Sequence, residues 1–312
     1  MKCAPPSSGR VSAAGCFAGI CLLWGIGATP ASEPSPGAAP VPGVEYRHLR
    51  EAGPQSIHVL QFDLAHRGLA VTATVGEGVQ GNETVPDMVA RRPESMGRPV
   101  AAINGDYFEF RGEPRYFGTL QGFCLVEGEM VAAPPANAFW IDAQGLPHLG
   151  HVTARMEVTW PDGRETPFGV NCSTKDFKSE VRAADVVLYT PAFGRSTRTA
   201  DGGREWVVQR PAPGAPGLPL TAEGVFTARV SQVRESGDTE IPRDGMVLSV
   251  ARAVAGSFAM VKAGDPVVFR MATTPDMSGV RTAIAGDPML LGGGKVLTNP
   301  AVSNRAPRTA IG

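Results

Sequence analysis

The sequence predicts a β-rich α+β domain, with mixed or antiparallel sheets and few short helices. Three observations predict it. Short runs alternate between apolar and polar residues. The 38 glycines and 28 prolines fall mainly between those runs. Long amphipathic helical periodicity is nearly absent, so the elements are strands and turns. At 312 residues and 43% apolar content, the chain can build a sizeable core, here a single domain over 45–312. No repeat of 20–50 residues is visible.

Taken in order, "SIHVLQFDL" (56–64) and "LAVTATVGE" (69–77) alternate around His66-Arg67-Gly68 and read as a hairpin. "ETVPDMVARRP" (83–93) is the best helix: Thr84 is an N-cap, Asp87 follows three residues later and Pro93 ends it,. The strand-like run Val100-Ala101-Ala102-Ile103 stops at Asn104-Gly105. "FCLVEGEMVAA" turns at Glu127-Gly128, and "ARMEVTWPDGRETPF" turns at Pro161-Asp162-Gly163,. Further strands are expected at 185–191, 204–210, 224–235, 245–252 and 265–272.

The N-terminus reads as something other than fold. Lys2 and Arg10 precede the apolar 11–28, and small residues follow at 28–31. This predicts a secretory signal over 1–31 and a secreted or periplasmic protein. Left uncleaved, the segment would be a membrane anchor. The stretch 32–44 is a Pro/Ala/Ser-rich linker. Cys3, Cys16 and Cys21 fall in the signal, leaving Cys124 and Cys172 as a pair open to oxidation or as two buried thiols,.

Several chemistries are excluded. A net charge of −1 with 19% charged residues gives no basic face for nucleic acid. No G-x-S-x-G nucleophile elbow occurs, and no G-x-G-x-x-G opens a helix. "GGGK" (292–295) lacks P-loop spacing and reads as a glycine turn before Lys295-Val296-Leu297,. His148 and His151 lie in a Gly/Pro stretch with no third ligand near and read as exposed loop histidines. Neither a metal nor a cofactor is expected.

Two places carry candidate chemistry. At Asn104-Gly105-Asp106, Gly105 allows a positive φ or a close approach to ligand. Asn104 can donate and accept, and Asp106 can act as a general acid or base. On local sequence alone, a plain hairpin turn with exposed polar side chains is the favoured reading of the same residues. Near the end, Arg308 offers a permanent bidentate cation for a phosphate, its approach stiffened by Pro307, with Arg305 on the other side.

Together these segments resemble the phosphodiester glycosidase family. The first shared signature is "AAINGDYF" followed by "GTLQGFCLVEGEMV", and the second is "TAIAGDPMLLGGGKVL" leading to "PRTAIG". The resemblance implies an exported hydrolase of sugar-1-phosphodiesters, of the N-acetylglucosamine-1-phosphodiester type, with a sugar phosphodiester or polysaccharide as its substrate. It carries Asn104, Gly105 and Arg308 into a site in which Arg308 neutralises phosphate oxygens and Asn104 holds a hydroxyl or phosphate oxygen. Thr309 adds a hydroxyl contact. Glycoside chemistry commonly uses two carboxylates, and here these are Asp106 and Asp287. Asp287 stands where the family has a second glycine. The family's later Asp-Gly-Gly-Gly-Ser stretch has no counterpart before Gly312, so the domain is expected to lack its C-terminal part. The alternative is a non-catalytic envelope protein that binds exopolysaccharide or cell-wall glycan. A third reading is a chain that neither binds nor cleaves.

Overall fold

The computed structural model describes residues 41–50, 56–76, 78, 82–178, 183–209, 218–297 and 308–312. The expected signal (1–31), most of the linker, Arg305 and Pro307 lie outside the described residues. The chain divides into a large unit, Thr29–Asp287, and a second unit comprising Met1–Ala28 and Pro288–Gly312.

The large unit opens with β1 (Val44–Arg50) and β2 (Ser56–Phe62), paired antiparallel from Val44↔Phe62 to Arg50↔Ser56. This corrects the expected hairpin between 56–64 and 69–77. The turn at His66 does form, with Leu69 N–H donating to His66 O at 2.9 Å, but no strand follows it. Instead side chains hold that stretch: Thr282 Oγ1 donates to Val71 O at 3.3 Å, and Thr72 Oγ1 donates to Glu127 Oε1 at 2.6 Å. Alternation alone did not reveal that β2 already had a partner upstream.

Helix α1 (Val85–Ala90) begins as expected. Asp87 N–H donates to Thr84 Oγ1 at 3.4 Å, and the hydroxyl returns a bond to Asp87 Oδ2 at 2.6 Å,. It is shorter than 83–93 because Arg92, ahead of Pro93, is pushed out of helical geometry. The run 100–103 forms no strand, and Val100 and Ile103 are exposed.

A single sheet of 12 strands dominates the unit. Its first strands are β3 (Cys124–Val126), β4 (Glu129–Ala132), β5 (Ala136–Ile141), β6 (Pro147–Thr159), β7 (Glu165–Pro167) and β8 (Gly169–Val170). A two-residue parallel pair, β9 (Ser173–Thr174) with β10 (Ala183–Ala184), lies outside it. The sheet continues with β11 (Val186–Tyr189), β12 (Arg204–Gln209), β13 (Gly224–Arg234), β14 (Gly245–Val250), β15 (Pro266–Thr274) and β16 (Thr282–Ala285). The strand order is β4-β3-β16-β5-β6-β15-β13-β12-β14-β11-β8, with β7 beside β6. Every pair is antiparallel except β11 with β8.

Burial explains the sequence patterns. The near-continuous apolar runs of β11, β12 and β14 are buried on both faces. Leu188, Trp206, Val208, Met246 and Leu248 enter one core, while Val187, Tyr189, Val207 and Val247 enter a second on the opposite face. In β13, Phe226, Ala228 and Val230 are buried at alternate positions, and beyond a register shift against β12 Val233 packs half-buried on the same core. Turns fall where glycine permits: Glu127 and Gly128 adopt φ of 51° and 86° between β3 and β4, the twist that suits a tight hairpin.

The sheet curls until its two edge strands, β4 and β8, meet. Fully buried Asn171, at φ 49°, ties them: its Nδ2 donates to Val131 O and to Thr190 Oγ1, each at 3.1 Å, and its Oδ1 accepts from Thr190 N–H at 2.9 Å. Asn171→Ala strips these partners in a buried place and puts alanine in a left-handed conformation. It should lower stability by about 2–4 kcal/mol in urea unfolding.

Cys124 and Cys172 are both buried and no disulfide joins them. Burial, and then the charge of Asp106, pushes the Cys124 thiol up. The histidine reading needs correcting. His148 and His151 lie on β6, not in a loop. His148 stacks on Trp140 at 5.3 Å and meets Asp142 Oδ2 at 2.6 Å, while Asp142 also accepts the N–H groups of Gln144 and Leu146. The cluster clamps the β5–β6 turn.

In the second unit, β17 (Leu291–Gly292) and β18 (Lys295–Val296) form a small hairpin through Gly293 and Gly294, both at positive φ. This is the glycine turn expected for "GGGK". Among the described residues, no helix is long and apolar enough to cross a membrane.

Candidate active site

The site is built at the end of β16, between β3 and β5. Where β16 ends, Ala285 O accepts from Asp106 N–H at 3.0 Å, and Gly286 N–H donates to Asn137 O at 2.9 Å. The corner at 104–106 therefore docks on a sheet strand, and is no hairpin turn. Its left-handed residue is Asp106, with φ 54°; Gly105 is not left-handed. Gly105 sits close against a side chain: a Cβ there would lie 2.3 Å from Ile284 Cδ1, so the end of that isoleucine would have to shift. Beyond the corner, residues 107–110 pair with 118–121: Gln121 N–H donates to Tyr107 O and Glu109 N–H donates to Thr119 O, both at 2.8 Å.

Asp106 is only half-buried as a residue, but its carboxyl end is enclosed. Oδ1 accepts the Tyr107 N–H at 2.6 Å, and the carboxyl also takes the Gly122 N–H. Oδ2 is shut off from solvent and accepts no hydrogen bond among the described residues. Burial of the charge lifts the Asp106 pKa to about 7, against the opposing pull of the two backbone donors,. Gly122 shapes the enclosure: a Cβ there would lie 2.1 Å from Ala285 Cβ, 3.1 Å from Asp106 Oδ1 and 3.2 Å from Ala136 Cβ. A carboxyl poised near neutrality with one oxygen unsatisfied can give or take a proton at that oxygen.

Asp287, two residues beyond β16, is exposed at the same end of the strand. Its Oδ1 accepts from Asn137 Nδ2 at 2.9 Å, and its carbonyl accepts from Tyr107 Oη at 2.6 Å. Asn104 is exposed at the corner. The structure thus brings Asn104, Gly105, Asp106 and Asp287 to one end of β16. Arg308 and Thr309, both half-buried, belong to the second unit. Sequence reasoning missed Tyr107 and Asn137. Tyr107 was visible inside the same motif, whereas Asn137, a lone polar residue in "PPANAFWI", carried no signal. No cluster of three or more His, Cys, Asp or Glu side chains arranged to hold a metal occurs among the described residues.

Fold and site define a strand-rich protein that presents an enclosed acid and an exposed carboxylate at the end of a central strand. Residues 221–312 match the phosphodiester glycosidase family, the family that the sequence motifs resemble. That match takes in Asp287, Arg308 and Thr309 and supports a glycosidase-like function. No curated protein matches the chain. Two solved structures share its fold. A hypothetical protein from Synechocystis matches with a TM-score of 0.59 at 16% identity, over 83% of this chain and 44% of that one. A candidate exported protein from Burkholderia pseudomallei K96243 matches with a TM-score of 0.51 at 17% identity, over 75% of this chain and 50% of that one. The chain therefore covers half or less of the length of either.

Proposed function

We propose that the chain is an exported hydrolase of sugar-1-phosphodiesters, of the N-acetylglucosamine-1-phosphodiester type, that breaks the bond between the anomeric carbon and the phosphate oxygen. The observation that carries this reading is Asp106, an enclosed carboxyl with an unsatisfied Oδ2 and a pKa near 7, set beside a second carboxylate. Water adds to the anomeric carbon as the carbon–oxygen bond to phosphate breaks. Asp106 gives its proton to the departing phosphate oxygen, or takes one from the water. Asp287, steadied by Asn137, sits where positive charge on the sugar ring can be offset. Asn104 holds a sugar hydroxyl or phosphate oxygen. In the second unit, Arg308 is a permanent cation and Thr309 a hydroxyl, the groups that the family resemblance implies for holding a phosphate,.

The test is hydrolysis of UDP-N-acetylglucosamine and an N-acetylglucosamine phosphodiester in oxygen-18 water. The label should appear in the free sugar and not in the phosphate. Arg308→Ala should lower kcat/KM about a hundredfold. Label in the phosphate would replace the glycosidase reading with a phosphodiesterase one. Binding without turnover would instead favour the glycan-binding envelope protein.

A further inference from the structure

Just past Asp106 the chain exposes aromatic rings instead of hiding them. Phe108 is 45% and Phe110 58% exposed, although Glu109 between them is buried to 1%. The cause is the two-residue period of extended chain. Paired against 118–121, this segment turns Glu109 inward and both phenyl rings outward. The rings meet edge to face, with centroids 6.2 Å apart. The Arg111 guanidinium lies 5.1 Å from the centre of the Phe110 ring. Among the described residues no carboxylate pairs with Arg111, and its neighbour is the Phe110 ring. The segment is firmly held. Immediately after Arg111 the chain turns at Gly112, φ 91°, where a Cβ would lie 2.8 Å from Glu109 Oε1 and 2.9 Å from Lys178 O.

We propose that Phe108, Phe110 and Arg111 form the binding platform for a sugar phosphate, with the pyranose ring on the phenyl faces and a phosphate oxygen on the Arg111 guanidinium. The proposal rests on the hydrolase reading above and extends it to residues that no motif marks. An aromatic face suits the apolar C–H face of a pyranose. A guanidinium held on a ring keeps its donors for an anion and needs little ordering on binding. A neutral glycan would use the rings alone. A guanidinium on the ring, with no carboxylate beside it among the described residues, makes the anionic sugar ester the better fit.

The experiment is calorimetric titration of the whole chain with UDP-N-acetylglucosamine and with the uncharged methyl glycoside of N-acetylglucosamine. The variants are Arg111→Gln and Phe110→Leu, the latter keeping apolar bulk without a ring face. Arg111→Gln should weaken the phosphodiester about tenfold and leave the methyl glycoside unchanged. Phe110→Leu should weaken both about fivefold. Variants that bind and hydrolyse like wild type would overturn the platform and leave the hydrolase reading standing. A wild-type chain that binds neither probe and hydrolyses neither substrate would overturn both.

Discussion

Asp106→Asn should yield a chain that is more stable at pH 8 and nearly inactive. Asparagine keeps the shape and the Oδ1 acceptor for the Tyr107 N–H, but carries no charge. In the native chain, folding lifts the Asp106 pKa from 3.8 to about 7. A folded-state value above the unfolded one means that the native state holds the extra proton. The stability tied to this group is therefore full below about pH 4 and is lost as pH rises through 7. A shift of this size corresponds to roughly 4 kcal/mol at most, and part-exposure of the residue trims it to about 2–3 kcal/mol. Urea unfolding of wild type should accordingly show stability falling between pH 4 and 7, and in Asp106→Asn that slope should flatten. Activity should fall by about 10²–10⁴-fold, the usual contribution of a positioned acid or base. A stability gain with an activity loss is the mark of a strained functional group. A variant that is both less stable and fully active would contradict the assignment.

The second large effect is expected from Gly122→Ala. Gly122 is absent from the positive-φ residues, so the cost comes from space. The new methyl would meet Ala285 Cβ at 2.1 Å and Asp106 Oδ1 at 3.1 Å, and neither neighbour has a flexible end that could swing away. The strand end or the acid must move. A destabilisation of about 2–3 kcal/mol is expected from such overpacking. Activity should fall by at least tenfold, because an ångström at a catalytic carboxyl is costly. Thermal unfolding and turnover measured on the same samples separate the two effects. Gly122→Ala with native stability and native activity would show that the enclosure of Asp106 does not matter.

What could be read from the sequence depended on how local each determinant was. The Thr84 cap, the Glu127-Gly128 turn and the Pro161-Asp162-Gly163 turn, where Gly163 N–H donates to Trp160 O at 2.9 Å, rest on neighbours within a few residues. All three form as expected. The pairing of β2 does not rest on such neighbours. The sequence 69–77 alternates as well as 44–50 does, and only the tertiary setting chooses between them. At the corner, the motif "NGDYF" marked residues that the structure brings to one end of β16, but not their local geometry. Gly105 was expected to allow a positive φ or a close approach to ligand, but the left-handed residue is Asp106, and Gly105 lies close to the end of Ile284. Asp287 was reached through its place in the second motif. Asn137 and Tyr107 were missed because their partner, Asp287, lies 150 and 180 residues away. His148 was misread for a different reason: its partners Trp140 and Asp142 are near in sequence, but the Gly/Pro-rich surroundings hid the strand that carries it.

The most direct test of the central claim is kcat/KM for an N-acetylglucosamine phosphodiester, measured from pH 4 to 9 on wild type and on Asp106→Asn. The expected result is turnover by wild type with an inflection near pH 7. Asp106→Asn should lose at least a hundredfold in rate, and its profile should lack that inflection. Equal rates in the two chains, or no turnover by wild type at any pH, would contradict the claim that Asp106 is the acid of a phosphodiester glycosidase site.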